Sequence, residues 1–292
     1  MGRVLITGGG GQLAADLEET LSEHSTVRAP SRAELDITDD AAVDRMFDDF
    51  QPEVVFNCAA FHNLGVCERE EDRAFEVNAR AVKRIAERCT HDHSMLVHMS
   101  TNYVFDGSAE EPYKETDAPC PRSVYAISKL AGEHAALSYA DRALVVRTAG
   151  LYGLRGSASK GGNFVTRTLT RARDEGQIAM VADQRLSPTF TADLAPALVQ
   201  AADRGLRGIL HLTNSGACSW FEFTQAIVDL AGIEVELSAI DTTRERGAPD
   251  RPLNGVLASA AERAGLAPLR PWRAALGDYM QRADLLAEPH PS

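Results

Sequence analysis

Tyr125 and Lys129 lie four residues apart in a segment, Val124–Ala140, whose composition is typical of a helix. Both side chains therefore emerge on one face of it. A tyrosine ordinarily titrates near pH ~10, but an adjacent ammonium favours the phenolate. A tyrosine tuned in this way can pass a proton to a carbonyl oxygen. The spacing also occurs by chance as a solvated pair, so the surrounding elements decide its meaning.

A glycine-rich turn follows the first predicted strand, Val4–Thr7, and runs into the predicted helix Gln12–Leu21. Free N–H groups and the positive end of the helix dipole point at such a turn, and glycines let a pyrophosphate approach the backbone. The turn therefore predicts dinucleotide binding, with a flexible turn as the alternative. Its candidate residues are Gly8, Gly11, Gln12 and Leu13. A bound nicotinamide cation would further favour the Tyr125 phenolate.

The second predicted strand, Thr26–Ala29, ends without the carboxylate that binds the ribose of NAD. Ser31 and Arg32 stand there instead and suit the 2′-phosphate of NADP. We therefore favour NADPH as the cofactor, with NADH possible and a solvated Arg32 as the alternative. Asp36 is a candidate for the adenine amino group and Ile37 for the adenine face, although a turn or capping role would also suit Asp36.

Short apolar runs alternate with helical segments, which indicates an α/β fold: a Rossmann-type doubly wound parallel sheet with a smaller mixed α/β substrate-binding part. Further predicted strands are Val54–Asn57, Met95–Ser100, Ala143–Thr148 and Ile209–Leu212; further helices are Ala41–Phe50, Glu70–Arg88, Phe164–Asp174, Thr191–Ala202 and Ser219–Leu230. We expect residues 1–150 to bind the cofactor, with a return to the sheet near 190–215, and residues 151–292 mainly to bind substrate. The glycine-rich Gly153–Gly162 is a candidate lid and the tail from Pro289 a frayed end.

Composition excludes several classes. The 292 residues are 44% hydrophobic and carry a net charge of −12, which opposes nucleic-acid binding. No apolar run reaches the roughly 18 residues of a membrane span, and the start lacks a signal-peptide pattern, so we expect no membrane and a cytoplasmic location. The five scattered cysteines predict reduced thiols, and His91-Asp92-His93 predicts a solvated loop rather than a metal site.

Several motifs occur in a fixed order along nearly the whole chain. They are Gly8-x-x-Gly11-Gln12-Leu13, Leu35-Asp36-Ile37-Thr38, Asn57-Cys58-Ala59-Ala60, Val77-Asn78-Ala79, Ser100-Thr101-Asn102-Tyr103-Val104-Phe105-Asp106-Gly107, Tyr125-x-x-x-Lys129-Leu130-Ala131-Gly132-Glu133, Gly162-Asn163-Phe164 and Asp183-Gln184-x-x-Ser187-Pro188-Thr189. Together they resemble the extended short-chain dehydrogenase/reductase family, and within it the dTDP-4-dehydrorhamnose reductase group.

The resemblance implies reduction of a nucleotide-linked 4-keto-6-deoxy sugar with NAD(P)H. Thr101 would bind the ketone oxygen, Tyr125 would donate the proton, and Lys129 would tune Tyr125 and hold the cofactor ribose. Further cofactor contacts would come from Ala59, Ala60, Asn78 and Ser100, and substrate contacts from His62, Tyr103, Asn163 and Gln184. Arg32, Lys160 and Arg185 would meet the anionic ligand, and a homodimer is common in the family.

The sequence departs from the family in the sugar pocket. His62 replaces a threonine, Gly65 an aspartate and Gly150 a tryptophan, while Asn102 replaces an aspartate beside Thr101. We therefore expect reduction of a related keto substrate, and the sequence leaves the identity of its sugar open. Two alternatives stay open: a non-catalytic NADP-binding regulatory subunit, like that of methionine adenosyltransferase, and a nucleotide-sugar epimerase or dehydratase that retains its NAD.

Overall fold

The computed structural model describes residues 1–155, 161–243 and 249–287. Its strands are β1 (Arg3–Thr7), β2 (Thr26–Arg28), β3 (Val54–Asn57), β4 (Met95–Thr101), β5 (Ala143–Thr148), β6 (Leu151–Tyr152), β7 (Gln177–Val181), β8 (Arg185–Leu186), β9 (Thr189–Phe190), β10 (Gly208–His211), β11 (Cys218–Ser219) and β12 (Glu236–Ile240). Six of them form one parallel sheet in the order β2–β1–β3–β4–β5–β10. The strand order reverses between β1 and β3, which is where ligands bind in open α/β sheets.

Helices cover both faces of this sheet and surround a further core in the second half of the chain. They are α1 (Gln12–Leu21), α2 (Asp40–Phe50), α3 (Leu64–Cys67), α4 (Glu71–Phe75), α5 (Ala81–His91), α6 (Val124–Tyr139), α7 (Phe164–Glu175), α8 (Thr191–Asp203), α9 (Trp220–Leu230) and α10 (Trp272–Arg282). The strands β3, β4 and β5 are buried along their whole length, which explains their nearly continuous apolar sequences. One core lies between the sheet and α1 with α8, and another between the sheet and α2, α5 and α6.

A third core lies in the second half of the chain and is built around aromatic rings. Tyr152, Phe190, Phe223 and Tyr279 contact one another there, with ring centroids 5.2–5.6 Å apart at Tyr152. The helices around it begin at defined caps: Asn163 for α7 and Ser219 for α9 each form a capping box. This part closes over the carboxyl ends of the large sheet.

The predicted α/β class and parallel sheet are confirmed, and the predicted strand Ile209–Leu212 forms as β10 at the edge of the large sheet. The predicted helix over Glu70–Arg88 forms as one continuous helical segment, in which a π-helical turn at Glu76–Arg80 lies between α4 and α5. Most of the expected lid, including Lys160, and the tail from Pro289 lie outside the described residues. Within the described ranges, no helix is long and apolar enough to span a membrane.

Candidate active site

A cleft of about 1010 Å³ opens at the carboxyl ends of β1, β3, β4 and β5. It brings together thirteen of the predicted site residues: Gly8, Gly11, Gln12, Leu13, Ala60, His62, Ser100, Thr101, Tyr103, Tyr125, Lys129, Asn163 and Gln184. The predicted residues outside its lining are Ser31, Arg32, Asp36, Ile37, Ala59 and Asn78.

The turn at the start of α1 fits a dinucleotide phosphate. Gly11 caps α1 without any side-chain hydrogen bond, so the first N–H groups of the helix have no partner within it. Gly8 has a φ of +76°, and a Cβ there would lie 2.8 Å from the backbone nitrogen of Ala59. Gly10, with φ +84°, has no atom within 4 Å of its ideal Cβ position. Free donors and space for an anion therefore occur together, as a pyrophosphate requires.

The catalytic candidates meet where β4 ends and α6 begins. Thr101 is the last residue of β4, and Tyr125 lies in the first turn of α6, which Ser123 caps through the backbone N–H of Ala126. The Thr101 hydroxyl lies close enough to that of Tyr125 to lower the pKa of the tyrosine. The Tyr103 ring lies edge-on to Tyr125, with centroids 5.9 Å apart. Two hydroxyl groups are thus placed side by side in the cleft wall.

Burial determines the protonation of this tyrosine. It raises the pKa of Tyr125 well above the usual range, against the smaller lowering effect of the neighbouring Thr101 hydroxyl. The expected shift towards the phenolate is therefore not seen, because desolvation penalises the charged form more strongly than its neighbours stabilise it. Tyr125 consequently carries its proton at neutral pH.

Lys129 lies one helical turn beyond Tyr125, and its amine is buried. Its Nζ donates a hydrogen bond to the carbonyl oxygen of Met99 at 2.6 Å and lies 3.4 Å from Nε2 of His98. Burial lowers the pKa of Lys129 to about 8, against the opposing effect of the Glu133 carboxylate. The amine is therefore near the point at which it gains or loses charge in the physiological range.

A buried ion pair behind the site connects the three elements α6, β5 and β4. The carboxylate of Glu133 on α6 accepts bonds from Nε of Arg147 on β5 at 2.9 Å and from its Nη2 at 2.7 Å. Ser100 on β4 donates to the same carboxylate through its hydroxyl. The side chains of Glu133 and Arg147 are only 2% and 1% exposed. Ser100, a predicted cofactor ligand, thus lines the cleft while its hydroxyl is directed at Glu133.

The predicted adenosine contacts lie beside the glycine turn rather than in the cleft lining. Gly9 forms a β-bridge with Ser31, whose hydroxyl donates to the Glu34 carboxylate at 2.7 Å. Arg32 pairs with Asp36 at 3.3 Å, and its side chain is 64% exposed and therefore available to a ligand. Asp36 also accepts two bonds from Thr38, which is the turn role considered above. The remaining candidate, Ile37, is buried in the core against α2 and α5.

Asn78 acts on the site from behind it. The residue is fully buried in the π-helical turn. Its Oδ1 accepts a hydrogen bond from the N–H of Phe61 at 2.8 Å, and its Nδ2 donates one to the carbonyl oxygen of Phe61 at 2.9 Å. It also donates to the hydroxyl of Ser128 on α6 at 3.0 Å. Asn78 therefore fixes the segment of Ala59 and Ala60 against the catalytic helix.

The predicted substrate residues all line the cleft and have partners of their own. Asn163 caps α7, and its amide also donates to the Tyr279 hydroxyl at 2.8 Å, so its capping role is present. The Gln184 amide donates to Thr242 at 2.9 Å. Burial raises the pKa of Tyr103, and Arg251, a residue that the sequence analysis did not select, opposes that rise. His62 lies 3.3 Å, through Nδ1, from the carbonyl oxygen of Ala60.

Sequence reasoning missed several cleft residues. Arg167 and Arg251 join the expected Arg185 in the lining, and the Phe164 and Trp220 rings, 4.4 Å apart, form an aromatic surface in it. Phe164 and Arg167 follow the predicted Asn163 on α7, whereas Trp220 and Arg251 lie far from it along the chain and have residue type as their only sequence signal.

Comparison with known proteins identifies the family. A family model described as the RmlD substrate binding domain matches residues 2–285. The chain belongs to this family. It is 38% identical to a dTDP-4-dehydrorhamnose reductase of Mycobacterium tuberculosis, covering 94% of this chain and 91% of the relative. It is also 38% identical to a probable dTDP-4,6-dihydroxy-2-methyloxan-3-one 4-ketoreductase of Streptomyces antibioticus, covering 99% and 97%.

A solved member of the RmlD family has the same architecture. The dTDP-4-dehydrorhamnose reductase of Bacillus anthracis, solved in complex with NADP, superposes with a TM-score of 0.90 at 32% identity, covering 96% of this chain and 99% of the other. The family predicted from the motifs is thus confirmed.

Proposed function

We propose that this protein is an NADPH-dependent reductase that converts the ketone of a nucleotide-linked 4-keto-6-deoxy sugar to an alcohol. The observation that carries the proposal is the placement of Thr101 beside a protonated Tyr125, in the cleft that also contains the phosphate-binding turn. The names of the M. tuberculosis and S. antibioticus relatives, both reductases, support it.

Tyr125 is the proton donor. NADPH, when bound, supplies the hydride that makes the ketone carbon tetrahedral and leaves its oxygen negatively charged. The high pKa of Tyr125 keeps its proton in place until that charge develops, and the hydroxyl then transfers it to the new alkoxide. Thr101 contacts Tyr125, so one hydroxyl pair both binds the ketone oxygen and protonates it.

Lys129 stabilises the tyrosinate that remains after proton transfer. Its ammonium carries positive charge one turn from Tyr125 and lines the same cleft. Opposite charge at this distance favours the phenolate, and the effect is strong where water is excluded. The same amine is placed to hold the cofactor ribose beside the glycine turn.

Arg32 makes NADPH the preferred cofactor. The second strand leads to Ser31 next to Gly9, and the exposed guanidinium of Arg32 follows directly. A guanidinium binds a phosphate with charge-assisted bonds, whereas the ribose hydroxyls of NADH would call for a carboxylate. The B. anthracis relative, which was solved with NADP, agrees with this preference.

The cleft suits an anionic sugar nucleotide. Although the chain carries a net charge of −12, Arg167, Arg185 and Arg251 all line the cleft. Phe164 and Trp220 also line the cleft, and each offers an aromatic ring face for a base. These groups match the diphosphate and base of a nucleotide-linked sugar.

The wall of the sugar pocket has no room for a bulky side chain at Gly150. Gly150 has φ +55°, and a Cβ there would lie 2.7 Å from the Leu186 side chain and 3.2 Å from the Pro188 backbone. A tryptophan therefore does not fit this backbone. We infer that the natural substrate is related to dTDP-4-dehydrorhamnose but carries a different sugar. A cytoplasmic location and a homodimer belong to the same proposal.

The test is NADPH oxidation by the purified protein with a dTDP-4-keto-6-deoxyhexose, beside NADH and beside Tyr125→Phe. We expect one NADPH consumed per sugar reduced, weaker use of NADH, and loss of turnover in the variant. Thermal unfolding of Tyr125→Phe provides the control for folding. Tight NADPH binding without reduction of any keto sugar would overturn the proposal in favour of a regulatory subunit.

A further inference from the structure

A chain of four polar side chains crosses the large sheet beneath the cleft. The Thr7 hydroxyl at the end of β1 lies 2.6 Å from Oδ1 of Asn57 at the end of β3. Nδ2 of Asn57 lies 3.1 Å from Nδ1 of His98 on β4, and Nε2 of His98 lies 3.4 Å from Nζ of Lys129 on α6. This series of polar side chains begins at the residue before the glycine turn and ends at the catalytic lysine.

All four side chains of this polar chain are buried. Thr7, Asn57, His98 and Lys129 are at most 2% exposed. Because buried polar groups without partners are costly, each link depends on the next. The mechanism above uses only the last member, Lys129, and leaves the imidazole of His98 without a function.

The contacts of Lys129 determine where its amine points. A lysine stem is flexible, and an ammonium has three N–H donors. Met99 accepts one bond at 2.6 Å, and His98 offers Nε2 from the same strand. With both of these partners on the sheet side, the remaining N–H is directed into the cleft.

We propose that His98 is a positioning residue for the reduction: through Nε2 it holds the amine of Lys129 in the orientation that serves Tyr125 and the cofactor. This inference rests on the proposed reductase function. His98 does not touch substrate or cofactor, and acts only through Lys129. It is held in turn by Asn57, so that the end of the phosphate-binding strand and the catalytic lysine are connected by hydrogen bonds.

A neutral imidazole can serve both charge states of Lys129. Burial and the neighbouring lysine lower the pKa of His98 well below its usual value, so the ring is neutral. In the arrangement given above, the Asn57 NH₂ faces Nδ1, so the ring carries its proton on Nε2 and donates to the neutral amine. When Lys129 is an ammonium, the proton lies on Nδ1 and Nε2 accepts. The Asn57 amide is then turned over, with its carbonyl oxygen facing Nδ1 and its NH₂ facing the Thr7 hydroxyl. The amide of Asn57 offers both groups.

The packing at Gly132 makes the contact possible. A Cβ at this position would lie 2.1 Å from the carbonyl oxygen of Asn78 and 3.2 Å from Nε2 of His98. α6 therefore approaches β4 closely enough for Lys129, one turn earlier, to reach the imidazole. The other groups that act electrostatically on the amine are Glu133 on α6 and Cys58 after β3, and Glu133 favours the charged form.

Two conservative variants distinguish the contribution of Nε2 of His98 from that of Nδ1. In His98→Gln, the side-chain amide extends to the position of Nε2 and keeps the contact with Lys129, whereas in His98→Asn it ends near Nδ1 and keeps only the contact with Asn57. Both variants are polar and similar in size. A purely structural role would make them behave alike, since each loses one buried hydrogen bond.

The first measurement does not depend on turnover. The chain has four lysines, Lys83, Lys114, Lys129 and Lys160, so ¹³Cε-lysine NMR can follow each titration in the full-length protein, with Lys129→Met providing the assignment. We expect the Lys129 titration to move down by roughly one pH unit in His98→Asn, because the ammonium loses an acceptor, and to stay near wild type in His98→Gln. Equal titrations in all three proteins would overturn the proposal.

The second measurement is the pH profile of kcat. His98→Asn should lose roughly 10- to 100-fold in kcat, with the alkaline limb moved to lower pH, while His98→Gln keeps both. Equal losses in the two variants at unchanged Lys129 titration would mean a structural role only. If the wild type reduces no keto sugar, the proposed function fails, and the NMR titration still decides whether His98 holds Lys129.

Discussion

Removing the charge of Glu133 should destabilise the protein far more than removing a surface carboxylate. In Glu133→Gln the guanidinium of Arg147, 1% exposed, loses its ionic partner and stays buried. Breaking a buried pair from one side costs about 3–5 kcal/mol. At roughly 2–4 °C per kcal/mol for a chain somewhat shorter than this one, Tm should fall by about 10 °C. Differential scanning calorimetry measures it.

Glu76→Gln is the matched control. Glu76 pairs with Arg80 at 2.9 Å, but the two side chains are 39% and 73% exposed, so the loss should stay within about 0.5 kcal/mol. The double variant Glu133→Leu with Arg147→Met should recover much of the stability, because two apolar side chains leave no charge buried. Equal Tm losses in Glu133→Gln and Glu76→Gln would refute this reasoning.

Three further predictions concern the cofactor, the pocket and pH. Arg32→Ala should raise KM for NADPH roughly 10- to 100-fold and leave NADH unchanged; equal effects on both cofactors in steady-state kinetics would contradict the assigned 2′-phosphate contact. Gly150→Ala should lower stability by about 1–3 kcal/mol in urea unfolding, since φ is +55° and the new Cβ meets Leu186; an unchanged midpoint would be inconsistent with that geometry. Activity should fall above about pH 8, where Lys129 loses its proton, while Tyr125 keeps its own; a kcat profile that is flat through pH 8 to 9 would contradict the role of the ammonium.

The sheet could be predicted from sequence because its strands are buried on both faces. Val54–Asn57 and Ala143–Thr148 read as short continuous apolar runs, and the structure ends both strands at those residues. By contrast, β12 is largely exposed and pairs with β7, almost sixty residues earlier in the chain. Neither strand has a strong local pattern, so the pair was missed.

The π-helical turn shows a second feature that could not be predicted from the local sequence. Glu76–Arg80 has ordinary helical composition, and the sequence predicted an unbroken helix through it. The turn follows from tertiary contacts of Asn78 with Phe61 and Ser128, which no local signal contains. Tertiary packing overrides propensity here.

The catalytic candidates were recognised because they lie in two short motifs, whereas their partners are distant in sequence. Thr101 and Tyr125 each follow a recognisable run, but the amide of Asn102 donates to the carbonyl oxygen of Gly255 at 3.0 Å, 153 residues away. Arg251 reaches Tyr103 over a similar separation. Contacts of this kind are determined by the fold and become visible only in the structure.

The measurement that tests the central claim most directly follows a labelled hydride. The protein is incubated with NADPH deuterated at the transferable C4 position and a dTDP-4-keto-6-deoxyhexose, and the product is analysed by mass spectrometry and proton NMR. We predict one deuterium at carbon 4 of the sugar, an alcohol at that carbon, and release of NADP⁺. An unlabelled sugar, or a changed sugar with no net cofactor oxidation, would contradict the account.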